Sequence, residues 1–370
     1  MGLPLGLLLV LQQPIVVDGH IDTPQRMLDL RADISSRLTD GHVDVPRMQE
    51  GGLTAAFFSI WVDARYGPGT AFQRARDLIG AVRLLADTNP TVELVTTGDQ
   101  VRRAAARGHV AALFGVEGGH AIENSLEKLD SLYQLGVRYL TLTWNNGNDW
   151  AGASMDPRRK GGLSPFGHEV VRRMNQLGML VDVSHVSDST FWDVLATTTR
   201  PVIASHSACR ALAHHPRNLT DDQLRAVARN GGVVGINFYP VFLDDRFARQ
   251  YAALRRRLAP QLASIRARAR GQPGAAAFEE DKVVGEHAEQ LEVPGIERLA
   301  DHIAHAVQVT GVDHVGLGSD FDGVSVLPRP MHDVTSLPLV VAALRARGYS
   351  ELDLRKILGE NFLRLLTAGP

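Results

Sequence analysis

The chain has one cysteine, Cys209, among 370 residues. No intrachain disulfide can form, so the fold has no need of an oxidising compartment. A single thiol also excludes a multi-cysteine zinc site, leaving His and carboxylate as ligands for any transition metal. Lysine is nearly as scarce, at Lys128, Lys160, Lys282 and Lys356, while arginine and alanine are abundant; that skew reads as genomic base composition. Charge of one sign is lacking too, since 39 basic and 41 acidic residues leave a formal net charge of −2. With no global basic field, neither nucleic acid nor an anionic membrane is an expected partner. The apolar run from Leu3 to Leu11 is too short to span a bilayer and has no basic flank, so neither a span nor a signal peptide is expected. Without a lipid-accepting cysteine near it or an apolar tail after Pro370, no membrane anchor is expected and the expected compartment is the cytoplasm. No Gly-x-Gly-x-x-Gly or Walker loop follows an apolar run, which argues against a nucleotide site.

Hydrophobic residues make up 44% of the chain, ample for a buried core. Short apolar runs predict eight strands, at 15–18, 54–61, 110–116, 139–143, 180–184, 202–205, 233–238 and 314–319. Several are almost continuously apolar, as parallel strands buried on both faces are. Helix-length amphipathic segments lie between most of them, at 71–88, 125–135, 166–177, 189–197, 221–230 and 296–310. The alternation predicts a parallel α/β fold, and eight units predict a closed (β/α)8 TIM-type barrel spanning 1–370 as one catalytic domain. Residues 243–294 break the rhythm and predict a helical insertion after strand seven. Its Arg255, Arg256, Arg257, Arg266, Arg268 and Arg270 read as a solvated helix face. A lid over the barrel mouth is the alternative, because βα loops gather there.

Ionisable residues stand where the apolar runs stop. Strand one ends in Asp18-Gly19-His20-Ile21-Asp22, and in an extended segment His20 and Asp22 share a face. Glu117 ends strand three beside Gly118 and Gly119; a carboxylate emerging from an apolar strand must be paired or bound to metal. His185 ends strand five, His206 ends strand six and Asp320 ends strand eight. Each has a bland alternative taken alone: a satisfied core His, a helix cap at Asp22, a Glu–Arg pair at Glu117. Together they converge, because the C-terminal strand ends of a barrel meet on the face where active sites sit. Three His and two carboxylates suit zinc or a similar divalent ion. Five ligands exceed one tetrahedral site with a free position and suit two ions sharing a carboxylate. No lysine lies at a strand end, so Glu117 is the natural bridge.

The stretches DGHID, GVEGGHAI, YLTLTWNNGNDWA, VDVSH, PVIASHS, HPRNLTDD, GINFYP and GLGSDFDGV resemble, in order, those of the membrane (renal) dipeptidase family of zinc peptidases. The resemblance implies two Zn2+ per chain, one held by His20 and Asp22, the other by His185 and His206, with Glu117 bridging. It implies that Arg217 contacts the substrate carboxylate and that Asp320 is the acid/base at the scissile amide. It implies a dipeptide substrate, with D-residues accepted at the second position, and a possible homodimer. Trp144 stands where many members have a substrate-binding His; it offers one N–H but no charge, which leaves Asn145, Asn146 or Asp149 to compensate, with Asn145 taken as the further substrate contact. Metal-dependent hydrolysis or tailoring of another amide, lactone or peptide-derived metabolite stays open, as does a non-catalytic binding protein. Trp61, Trp150 and Trp192 read as packing, and His42, His109, His287, His302 and His305 as surface residues.

Overall fold

Among the described residues nine parallel strands make one sheet, and eight of them close on themselves. The strands are β1 (Val17–Ile21), β2 (Ala55–Trp61), β3 (Val92–Leu94), β4 (Val110–Glu117), β5 (Val137–Thr141), β6 (Leu180–Asp182), β7 (Ile203–Ser207), β8 (Val233–Ile236) and β9 (Val315–Leu317). The computed structural model describes residues 14–269 and 271–366. The run Leu3–Leu11 and Arg270 therefore lie outside the described residues. Strand β2 pairs directly with β4, and Asp18 of β1 pairs with Leu317 of β9, which closes the barrel. Strand β3 is the ninth. It pairs with the first half of β4 (Val92 opposite Val110), while β5 takes the second half of the same edge. Its three residues are too few for a period to show in the sequence.

Alternation along the strands sorts side chains into two layers. Val17, Phe57, Leu113, Tyr139, Ile203 and Val233 pack together inside the barrel around Phe362. Phe58, Ile60, Ala112, Phe114, Val116 and Leu140 face outward, against the surrounding helices. Those helices include Ala71–Thr88, Leu126–Gln134, Pro165–Leu177, Asp188–Thr197, Asp221–Arg229 and Ile296–Thr310, one for each helical segment read from the sequence. Several start on side-chain caps, as at Ser125, Ser164, Ser187 and Thr220, each accepting a backbone N–H three residues on.

After β8, the seventh barrel strand, come Pro240–Leu243, Asp245–Arg268 and Pro273–Ala288. The two longer helices bury Phe247, Tyr251, Leu254, Leu258, Leu262 and Ile265 against Ala276, Val284 and Ala288 in a small core of their own. Arg256, Arg257 and Arg268 lie on the exposed face, as the charge run suggests, while Arg266, though exposed, also lines the cavity at the barrel mouth. Arg255 is half-buried and turns toward the barrel mouth. Among the described residues no helix is long and apolar enough to cross a membrane.

Gly115 of β4 sits opposite Tyr139 of β5. A Cβ there would lie 1.9 Å from the Tyr139 ring, so the ring crosses the barrel interior only because this residue has no side chain. Gly115→Ala is expected to cost about 1–3 kcal/mol through overpacking and to lower the thermal unfolding midpoint. A midpoint equal to that of the unaltered protein would mean that the ring has room to move.

Candidate metal centre and active site

Glu117 is the last residue of β4 and only 2% exposed. Its inward position follows from the alternation that also points Leu113 and Gly115 inward. Among the described residues no arginine pairs with it. Its Oε2 lies 3.3 Å from His20 Nε2, and its Oε1 lies 2.8 Å from His185 Nε2 and 3.5 Å from His206 Nε2. The two oxygens thus face different imidazoles, although the His20 and His206 rings are themselves only 3.9 Å apart between centroids. Asp22 Oδ2 is 3.6 Å from His20 Nε2. Asp22 also precedes the helix Thr23–Asp29, but its side chain makes no cap and Oδ1 has no partner. Donor atoms of His20, Glu117 and His206 lie within 4.8 Å of one another, as do those of His20, Asp22 and Asp320.

Each imidazole is oriented from behind. His20 Nδ1 is 2.8 Å from the Tyr139 hydroxyl, which itself donates to Gly19 O at 3.1 Å. The hydroxyl has one proton to give, so it accepts from Nδ1–H. His20 Nε2 is then the atom turned into the site, where it has no hydrogen-bond partner. His206 Nδ1 is 2.8 Å from Ser205 Oγ, which donates to Asp182 Oδ2 at 2.6 Å. His185 Nδ1 is 3.2 Å from Asn145 Oδ1. Both rings therefore spend their Nδ1 protons outward. Their Nε2 atoms face each other at 2.9 Å, with Glu117 Oε1 beside them.

The proton affinities follow the same logic. Burial, then the Arg217 charge, lowers His185 to about 3. Burial and His20 hold His206 well below its ordinary value. Both rings are neutral, so lone pairs and a carboxylate oxygen converge with no proton between them. Burial would lower His20 as well, but Tyr139, Glu117 and Asp22 outweigh it and raise it well above the ordinary value. Burial would raise Glu117, yet the charge of His20 beside it is the largest of the influences that hold it well below the usual carboxylate range. Such a cage attracts positive charge, and its nitrogen and oxygen donors fit a borderline divalent ion.

Asp320 and Arg217 flank the cage. Asp320 Oδ2 accepts from Asn237 Nδ2 at 2.9 Å. Burial, then repulsion from Asp22, pushes Asp320 up to about 7. Arg217 is 3% exposed and donates to His206 O at 3.0 Å and Ser207 Oγ at 3.4 Å, while its Nε has no partner. Burial pulls it down to about 10, with Glu117 and Asp320 opposing.

A cavity of about 680 Å3 opens above these residues. Asp22, Glu117, Trp144, Asn145, His185, His206, Arg217 and Asp320 all line it, and His20 lies fully buried beneath. Tyr251, Arg255, Phe278 and Asp281 line it from the insertion, and Tyr239, Val241 and Phe242 from the segment between β8 and the insertion. The insertion thus contributes to the cavity wall, and its charge run is only in part a solvated face.

Three expectations need correction. Trp61 lines the cavity and meets Trp144 edge-on at 5.0 Å, so it is more than packing. His302 is fully buried, with Nδ1 accepting from Cys209 N at 3.1 Å and Nε2 near Leu243 O at 3.0 Å. His42 is partly buried and accepts from Asp322 N at 2.9 Å. Sequence reasoning missed Tyr139, Asp182, Ser205 and Asn237, which hold His20, His206 and Asp320. A Tyr in an apolar strand and an Asp before a strand-end His were the signals present.

The fold and the cage define a metal-dependent hydrolase of the barrel type. The chain belongs to the membrane dipeptidase family, peptidase family M19, whose sequence profile matches residues 8–368; its members' activity makes it a metallo-dipeptidase. Solved structures agree. The dipeptidase AC, a family M19 metallo peptidase, is 29% identical with a TM-score of 0.77 over 95% of this chain and 98% of that one. A metallo peptidase from Rhodobacter sphaeroides, liganded with a phosphinate mimic of L-Ala-D-Ala, is 29% identical with a TM-score of 0.76 over 96% and 99%. The probable dipeptidase PvdM from Pseudomonas aeruginosa is 27% identical with a TM-score of 0.79 over 96% and 95%.

Tyr139→Phe removes the acceptor behind His20 and leaves the ring's bulk in place. Loss of such an outer partner is expected to weaken metal binding about 10–100-fold, read by competition with a chelating dye. Unchanged affinity would mean that the hydroxyl does not set the His20 orientation.

Proposed function

We propose that the protein is a zinc dipeptidase with two ions per chain that cleaves L,L- and L-Xaa-D-Xaa dipeptides. The observation that carries this reading is the arrangement around Glu117: one carboxylate oxygen toward His20, the other toward His185 and His206, with imidazole lone pairs converging. His20 and Asp22 would hold one ion, His185 and His206 the other, and Glu117 would bridge them. Bound ions of this kind supply Lewis acidity at the scissile carbonyl and acidify the attacking water.

The chain's own residues supply the rest. Asp320, held by Asn237 and with a raised proton affinity, takes the proton from the attacking water on a carboxylate oxygen and hands it to the leaving amine. Arg217, fixed by His206 O and Ser207 Oγ, turns its unpartnered Nε toward a substrate carboxylate. That contact sets the C-terminus one residue from the scissile bond, which is the length rule of a dipeptidase. Trp144 contributes an apolar edge with one N–H where a charged side chain would polarise the carbonyl. The phosphinate mimic in the Rhodobacter relative supports a D-residue at the second position.

Metal analysis of the zinc-loaded protein is expected to find two ions per chain, and chelation to abolish cleavage of Ala-Ala and L-Ala-D-Ala until zinc is restored. Asp320→Asn is expected to lower kcat at least about 100-fold with metal content retained. Arg217→Met is expected to raise KM about tenfold or more. A zinc-loaded protein that cleaves no dipeptide in a broad panel would sink the reading.

A further inference from the structure

The cavity is in the size range of sites for drug-sized ligands, larger than a small dipeptide needs, and the insertion faces the barrel floor across it. The floor carries the ligand cage, Asp320 and Arg217. A substrate's α-amino group is joined to the scissile carbonyl through a single Cα, so it stays at the floor beside Asp22 and Asp320. Only a side chain extends to the insertion.

On the helix Pro273–Ala288, Ala277, Phe278 and Asp281 stand at spacings that share one helix face, and all three line the cavity. Other charges there are already paired. Arg65 holds Asp63 through two contacts of 2.8 and 2.9 Å. Arg266 holds Glu280 through contacts of 2.6 and 2.9 Å, and Arg255 reaches Glu280 at 3.7 Å. Asp281, half-buried, has no ion pair or hydrogen bond among the described residues. Burial pushes its carboxyl up to about 7, against the pull of Arg255 and with Glu280, then Asp22, adding to the rise. A carboxyl so placed is stabilised by a cation set beside it.

We propose that Asp281, with Ala277 and Phe278, forms a subsite that selects first residues whose aliphatic side chain ends in a cation, such as lysine, ornithine or arginine. The inference rests on the dipeptidase reading above. The methylene stem packs along Phe278 and Ala277 while the charged head meets Asp281, the division of labour such side chains adopt at mixed surfaces.

The test compares kcat/KM for Lys-Ala, norleucyl-Ala, Glu-Ala and Ala-Ala with the metal-loaded protein and its Asp281→Asn variant. Norleucine keeps most of the lysine stem and lacks the ammonium. Lys-Ala is expected to exceed norleucyl-Ala by about tenfold or more, and Asp281→Asn to bring that ratio near one. A ratio near one in the unaltered protein, or a preference that survives Asp281→Asn, overturns the proposal. So does a preference for Glu-Ala, which would assign the subsite to Arg255. If no dipeptide is cleaved, the dipeptidase reading fails by itself. Calorimetric binding of Lys-Ala against norleucyl-Ala then decides the subsite by the same ratio.

Discussion

At the top of the barrel, the Nε2 atoms of His185 and His206 and a Glu117 oxygen are pressed together, and among the described residues no arginine or lysine is bonded to them. Arg217 is close, but its bonded donors go to His206 O and Ser207 Oγ. Protons do not relieve the contact between His185 and His206, because both rings have given their Nδ1 protons to Asn145 and Ser205. A buried set of lone pairs at 2.9 Å is costly unless a positive charge occupies its centre. The barrel provides the stability that holds the donors in this conflict, and bound metal would return stability to the fold. The outer partners follow from the same need. Tyr139 can reach His20 only across an interior emptied by Gly115, so a glycine in β4 and a tyrosine in β5 serve a histidine in β1.

Floor and insertion divide the work. The floor is built from strand ends, whose positions are set by barrel closure and by two layers of packing. It holds the groups that must be placed to within fractions of an ångström. The insertion has a core of its own, from Phe247 to Ala288, and so can vary its cavity face without disturbing the strands. The proposed separation, chemistry on the strand ends and selectivity on an inserted element, is one that barrels permit, because their loops contribute little to the central core.

What the sequence revealed follows the same line. His20, Asp22, Glu117, His185, His206 and Asp320 stood out because ionisable residues at the ends of apolar runs break a strong pattern. The eight barrel strands and their helices were legible because buried parallel strands leave almost unbroken apolar runs. Tyr139 was not legible as a partner of His20, since a tyrosine in a strand looks like core until the facing glycine is known. Asp182 stood one residue too early in its run, and only the pairing of β6 with β7 brings it under Ser205. Trp61 looked like packing because its cavity face depends on Trp144, far away in sequence. The arginines of the insertion looked uniform; helix phase alone separates the exposed Arg256 and Arg257 from Arg255 at the mouth.

The site is also built against local backbone preference. His185, Asp320 and Asp322 have φ of 68°, 65° and 65°, the left-handed region that L-residues with a Cβ rarely adopt. Each costs about 1 kcal/mol or more relative to an ordinary conformation, a sizeable share of the net stability of a protein. Glycine would remove that strain and with it the His185 imidazole and the Asp320 and Asp322 carboxylates that line the cavity. The surrounding contacts hold the conformation instead. Asp320 N donates to His20 O at 3.0 Å, and Asp322 accepts from Thr23 Oγ1 at 2.7 Å and His42 N at 2.6 Å. Ser154 N donates to His185 O at 2.8 Å, tying that turn to the loop after β5. Strain at the strand ends is therefore a consequence of asking one turn both to leave the barrel and to aim a side chain back over its mouth.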